Sequence, residues 1–453
     1  MQIRPEIAVP HRTSGDTLQT KTNTKERPPV SMPAAGDPVV GDAVLRQSVT
    51  ITFVETLPTT SSLWPPSDAR LITECHGGSK ATVKICESRS IALIYAQKYV
   101  DPDIKGNPAE WRLEQSRLEN DLKTYQSLDH MALRDSFGGL HHHGRSDEDG
   151  LVLYLEYAGS TVLANHVMSD TEMGMGIMQS FFGSLTVEIM AICEVGVAGD
   201  EATQLRKKLF SDRIVNRLAP KSTDLAKIMP NGDSVLLQSQ LQHLKGRWEA
   251  CYTQLEPLLT SGAVASLPTD TTFLNMILNP DTGTVKCIDP GKIDRTAAAY
   301  PLSKMLVFGP YYRFVNDKEF QITADGFCPT VPANVSSTHK VLAACQGILE
   351  TVDAITASQT IVAGLIQFGG DLGYRYNLED VQSKKIFADL SLFDRALTHL
   401  EGLMSAVFGD LGMSPTSVLS TENCQEFAEK FVAQRARQLS AEVALLLPVK
   451  EGL

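Results

Sequence analysis

The chain has 453 residues, a formal net charge of −12, 43% hydrophobic residues and 21% charged residues. That length allows two lobes to be buried without disulfides or metals, and the composition is that of a globular protein. The acidic balance argues against broad nucleic-acid binding, which needs clustered Lys and Arg on phosphates, and apolar runs such as Ile361–Ile366 fall far short of the roughly 20 residues of a membrane helix.

The first residues, MQIRPEIAVPHRTSG, lack the continuous apolar stretch of a secretory signal, so a cytoplasmic protein with no membrane attachment is expected. Residues 1–45, with the run KERPPVSMPAAGDP, show no periodicity and read as a disordered arm. The eight cysteines are scattered without a CxxC pair and read as reduced thiols filling the core.

Residues 46–158 carry short β-branched or aromatic runs: SVTITFV, ARLITEC, ATVKIC, SIALIYAQKYV and LVLYLEY. One helix interrupts them, from about Pro108 to Leu128, with Trp111, Leu118, Leu122 and Tyr125 at helical spacing. Residues 159–453 read as mainly helical, with long apolar periodicity over Gly174–Val195, Gln238–Leu259, His339–Phe368 and Ser391–Phe408. Within them lies one β-hairpin, TFLNMIL-NPDTG-TVKCID, whose Pro-Asp-x-Gly centre signals a turn.

The candidate chemistry follows the chain. Gly77, Gly78 and Ser79 sit between two strands, where glycines let backbone N–H groups approach an anion; an ordinary hairpin turn is the bland reading. Period-two alternation puts Ala96 and Lys98 on one strand face, and a lysine on an apolar face needs an anionic partner. Asp121 lies on the inner stripe of the helix and is the first choice of partner, with Glu114 or Glu119 in reserve.

Glu156 to Ala158 read as an extended connector able to meet an adenine edge, or as the polar end of a buried strand. His141–His143, in a Gly-rich loop, project in different directions and do not suggest a metal site. Asp212 and Arg213, in SDRIVNRL, read as a capped helix start and a surface charge, with contact to a polar acceptor as the alternative.

The strongest signal is PTDTTFLNMILNPDTGTVKCIDPG, in which Asp270 and Asn275 have D-x-x-x-x-N spacing and the hairpin delivers Asp289, followed by Pro290 and Gly291. Here the sequence resembles the kinase-like phosphotransferases of the aminoglycoside phosphotransferase and choline kinase type. The resemblance covers roughly Leu71 to Leu306 in the order Gly loop, strand Lys, helix acid, connector, D-x-x-x-x-N, hairpin, Asp-Pro-Gly.

It implies an α+β, protein-kinase-like fold with a small antiparallel-sheet N-lobe over residues 46–158 and a large helical C-lobe over 159–453. The catalytic loop and hairpin would occupy 267–291. It also implies an ATP- and Mg²⁺-dependent transfer to a small-molecule hydroxyl acceptor, with Asp270 orienting the acceptor, Asn275 and Asp289 holding Mg²⁺, and Lys98 clamping the phosphates. The alternative is a catalytically inactive kinase-like nucleotide-binding or scaffold protein; no distinctive segment suggests transfer to a protein side chain.

Two features depart from the family pattern. Pro268 and Thr269 stand before Asp270 where the family has His-Gly, and Tyr300-Pro301-Leu302-Ser303-Lys304 replaces Tyr-Asp-Leu-Ala-Lys, so an Asp that braces the catalytic loop is missing. The loop must be supported in another way, or catalysis is reduced. Neither the identity of the acceptor nor the oligomeric state is legible, although an acidic chain would steer a cationic acceptor.

Overall fold

The computed structural model describes residues 64–76, 81–131, 133–146, 150–163, 175–194, 199–220, 234–307, 320–323, 326–329, 344–376 and 383–446. All of them belong to the unit Thr60–Leu453. The expected arm, the run SVTITFV and the glycine loop Gly77–Ser79 lie outside the described residues.

Alternating side chains build the first half. Strands β1 (Arg70–His76), β2 (Ala81–Ser88), β3 (Leu93–Val100), β4 (Leu140–Ser146) and β5 (Gly150–Glu156) form one five-stranded sheet in the order β1-β2-β3-β5-β4, with every neighbour antiparallel. On β3, Tyr95 and Tyr99 pack with Trp64, Val152 and Tyr154 on one face, while Ala96 and Val100 on the other join the core that includes the helix Pro108–Leu128 and Phe273. Lys98 shares that second face by the same period of two. The tight turn between β2 and β3 is pinned by Asp68, whose carboxylate accepts from the hydroxyls of Ser88 and Ser90 and from the N–H groups of Arg89 and Ser90.

The helix α1 spans Pro108–Leu128, with Asn107 capping its first turn by accepting from the Glu110 N–H and Pro108 at an allowed opening position. His141–His143, expected in a loop, belong instead to strand β4. His142 and His143 pair with Tyr154 and Leu153 of β5, and the rings of His141 and His142 stack on Trp64. A polar run therefore forms an edge strand because aromatic packing on one side replaces the apolar alternation that sequence reading looks for.

The rest is mainly helical. Strand β6 (Thr161–Val162) pairs with the hairpin strand β8 (Met276–Asn279), which pairs with β9 (Thr284–Cys287). Strand β7 (Val264–Pro268) pairs with β10 (Ile293–Ala297), so both ends of the Asp270–Gly291 segment are clamped together. Long helices occupy Met175–Ala191, Ser234–Leu259, Ala354–Tyr376, Ser383–Asp410 and Cys424–Leu446. The helix expected over His339–Phe368 is broken near Asp353, whose carboxylate caps a new helix through the N–H and hydroxyl of Thr356.

One large core gathers Phe210, Trp248, Phe393, Phe408, Phe427 and Phe431 among the helices. A second runs from the sheet and α1 through Phe137 and Phe182 to Phe273, Met276 and Cys287 in and beside the β8–β9 hairpin. That shared interior holds the sheet in fixed relation to the hairpin. This is the two-lobed kinase-like arrangement, a small antiparallel sheet with one helix followed by a larger helical part.

Candidate active site

Chain segments far apart in sequence bring their polar side chains to one place. Lys98 of β3 donates to Asp121 of α1 at 3.1 Å and to Asp289 beyond β9. Burial works to lower the Lys98 ammonium, but Asp289 and Asp121 outweigh it and hold its pKa above the ordinary lysine range. Burial pushes the Asp121 carboxyl up, against the pull of Lys98. Two carboxylates thus share one buried cation.

Asp121 is therefore the helix acid. Glu114 is buried but pairs with Arg117, and Glu119 pairs at the surface with Arg145 at 2.6 Å.

The helix also shapes the Asp-Pro-Gly turn directly. The Tyr125 hydroxyl accepts from the Asp289 N–H at 3.3 Å, and the Thr124 hydroxyl donates to the Gly291 carbonyl at 3.0 Å. Asp289 has φ +47°, a left-handed conformation that Asp tolerates better than most residues. Gly291 has φ +73°, and a Cβ there would lie 3.0 Å from the Asp270 Cβ, so any other residue would be strained and would crowd Asp270.

On the loop that follows β7, the Asp270 N–H donates to the Pro290 carbonyl at 3.1 Å. The Asn275 amide donates to Asp270 Oδ2 at 2.9 Å and to the Asp289 carbonyl at 3.2 Å. The three residues of the D-x-x-x-x-N…D pattern are thus mutually fixed, with the Asp270 and Asp289 carboxylates about half exposed (44% and 49%) on the open side.

The support for this loop comes from a residue that the sequence pattern does not assign to it. Lys304, from the helix Ala299–Val307, reaches Asp270 Oδ1 at 3.3 Å, and the Thr271 hydroxyl donates to the Pro301 carbonyl at 2.8 Å. Together they brace the loop from the segment in which the family's Asp is replaced by Pro301. The signal was present, since Lys304 is the lysine retained in the Tyr-x-x-x-Lys segment.

Glu156 ends β5, donates its N–H to the Gly139 carbonyl at 2.8 Å, and pairs through its carboxylate with Lys286 at 2.8 Å. Its side chain thus ties the sheet to the hairpin, and Ala158 beyond it is buried. Among the described residues no group of three His, Cys, Asp or Glu side chains converges as a metal cage. A cation here would take oxygen ligands from Asn275 and Asp289 and complete its shell with phosphate oxygens and water, the usual manner of Mg²⁺, and the exposed carboxylate of Asp289 fits it. The cysteines are consistent with core filler: Cys251, Cys287 and Cys345 are buried, and burial pushes the Cys251 thiol up to about 12.

No described helix is long and apolar enough to cross a membrane. Neither a protein-family model nor a curated protein matches the chain. Among solved structures it is similar to a Plasmodium vivax ethanolamine kinase, at 11% identity and TM-score 0.37 over 73% of this chain and 82% of that one. It is also similar to an aminoglycoside phosphotransferase from Streptomyces rimosus, at 13% identity and TM-score 0.28 over 73% and 94% of the two chains. A type VIII aminoglycoside-3'-phosphotransferase matches at 14% identity and TM-score 0.29 over 62% and 94%.

Proposed function

We propose that the chain is an ATP- and Mg²⁺-dependent phosphotransferase acting on a hydroxyl of a small molecule. The observation that carries this reading is the cluster in which Lys98, Asp121, Asn275, Asp270 and Asp289 are joined by hydrogen bonds across distant segments. A scaffold has no physical need for so many convergent polar groups.

In this reading the glycine loop Gly77–Ser79 covers the nucleotide phosphates and the Glu156–Ala158 connector meets the base. Lys98, held charged by its two carboxylates, offers its ammonium to the phosphates. Bound at Asn275 and Asp289, Mg²⁺ would neutralise charge on the phosphate oxygens. Asp270, fixed by Asn275 and Lys304, orients the acceptor hydroxyl and takes its proton. A bond forms between the acceptor oxygen and the terminal phosphorus, the bond to the bridging oxygen breaks, and ADP leaves.

The test is Asp270→Asn, measured for ADP release across a panel of hydroxyl acceptors and for ATP affinity. Turnover should fall roughly 10²–10⁴-fold with ATP affinity nearly unchanged. Equal turnover would remove Asp270 from the chemistry. A wild type silent with every acceptor would favour the non-catalytic reading.

A further inference from the structure

Lys304 meets Asp270 at 3.3 Å, a long contact for an ammonium at the end of a flexible stem, so a second group has to aim it. Its side chain is 14% exposed, and among the described residues the other group its ammonium meets is the Tyr300 ring, whose centroid lies 5.2 Å away. Tyr300 and Lys304 are four apart on the helix Ala299–Val307, the spacing that stacks two side chains on one face. At that distance the negative face of an aromatic ring attracts a cation, and more strongly where water is excluded.

The ring is itself fixed from distant segments. The Arg213 guanidinium lies over it at 4.9 Å, and a Cβ at Gly370 would come within 3.1 Å of that guanidinium. Arg213 is thus committed to Tyr300 and packed against the helix Ala354–Tyr376, and a ring loaded in this way has little freedom to turn. Tyr300 also walls a cavity of about 550 Å³ together with Thr269, the residue before Asp270. One aromatic side chain therefore touches both the brace of Asp270 and the space beside that loop.

We propose that Tyr300 is a positioning residue whose ring keeps the Lys304 ammonium on Asp270. The role belongs to the ring and not to the phenol hydroxyl, because it is the ring that the ammonium meets. It acts through Lys304, since among the described residues no hydrogen bond joins Tyr300 to the Asp270 side chain. This deepens the phosphotransferase reading, and its kinetic part rests on that reading.

The test compares Tyr300→Leu, Tyr300→Phe, Lys304→Met and the double variant Tyr300→Leu with Lys304→Met in the full chain. Turnover is measured with Mg²⁺-ATP and a panel of hydroxyl acceptors that includes glycerol, ethanolamine, glucose and glycerate. Tyr300→Leu should lower kcat roughly 3–10-fold, the effect of losing one cation–ring contact, with the KM for ATP unchanged. Tyr300→Phe keeps the ring and should stay within about twofold of wild type. In the Lys304→Met background, Tyr300→Leu should lower kcat no further, whereas a side chain that only packs would cost the same in both backgrounds. Unchanged kcat in Tyr300→Leu, an equal loss in Tyr300→Phe, or a full further loss in the double variant would overturn the proposal.

Denaturant unfolding of the same variants gives a readout without catalysis. Tyr300→Leu should cost less stability in the Lys304→Met background than in the wild type, because the contact is already gone. That coupling in a chain that releases no ADP with any acceptor would uphold the hold on Lys304 while removing the phosphotransferase reading beneath it. Strictly additive stability losses would overturn the hold itself.

Discussion

The Lys304 ammonium lies 3.3 Å from one carboxylate oxygen of Asp270, while the Asn275 amide holds the other at 2.9 Å. Asp270 is thus oriented from two sides, and Lys304 supplies a brace from the segment where the family pattern would have an Asp. Lys304→Met should lower kcat about 10–100-fold, because the carboxylate loses one of its two fixing contacts, with the KM for ATP unchanged. A variant with wild-type kcat would show that Asn275 alone suffices.

Asp289 occupies a left-handed backbone conformation, φ +47°, that costs an ordinary L-residue about 1–2 kcal/mol. Asp289→Ala and Asp289→Gly both remove the carboxylate, so comparing them isolates the backbone. The glycine variant should be more stable by about 0.5–1 kcal/mol after allowing for its looser unfolded chain. On the proposed reading Mg²⁺-ATP should raise the melting temperature of the wild type, and both variants should lose most of that upshift. Chemical denaturation checks the first claim and melting with nucleotide the second.

The residues that the structure brings together each carry a local mark in the sequence. Lys98 follows from a period of two, Asp121 from a helical stripe shared with Leu118 and Tyr125, Asp270 and Asn275 from their D-x-x-x-x-N spacing, and Asp289 from the hairpin that delivers it. What escapes depends on tertiary partners. Strand β4 is hidden because His141 and His142 are held by Trp64, far away in sequence. The contacts of Thr124 and Tyr125 with the Asp-Pro-Gly turn span more than 160 residues. Asp212 and Arg213, expected as a capped helix start, lie inside a helical run, because a π turn over Lys208–Asp212 joins the helices Asp200–Lys207 and Arg213–Arg217, and Asp212 makes no side-chain cap.

Asp68 should show a simple pH signature. Hydrogen bonds from the hydroxyls of Ser90 and Ser88, and from the Ser90 N–H, hold its carboxyl well below the usual range. A depressed folded-state pKa contributes stability above the unfolded value, near 4, and loses it as pH falls toward the folded value. Asp68→Ala should therefore melt lower than wild type at pH 7, and the gap should begin to close only below about pH 4. A gap that is constant from pH 7 to pH 3 would show that the carboxylate's charge has no part in pinning the turn.

The charge balance around Lys98 gives the sharpest test of the cluster. Its side chain is 8% exposed, that of Asp121 24% and that of Asp289 49%. Lys98→Met leaves two carboxylates facing each other without a cation. A fully buried broken pair costs about 3–5 kcal/mol, and the exposure of Asp289 reduces that to about 2–3 kcal/mol here. Adding Asp121→Asn removes one of the stranded charges, so the double variant should recover about 1–2 kcal/mol relative to Lys98→Met alone. The sign with pH follows from the raised pKa of Lys98: its contribution is complete below the unfolded lysine value, near 10.4, and persists until pH exceeds the higher folded value. The gap between wild type and Lys98→Met should therefore stay level from pH 6 to 10 and shrink in acid, where protonation of Asp121, already favoured by burial, relieves the stranded charge. Strictly additive losses in the double variant, or a gap that widens in acid, would mean that Lys98 is not the cation that Asp121 and Asp289 share.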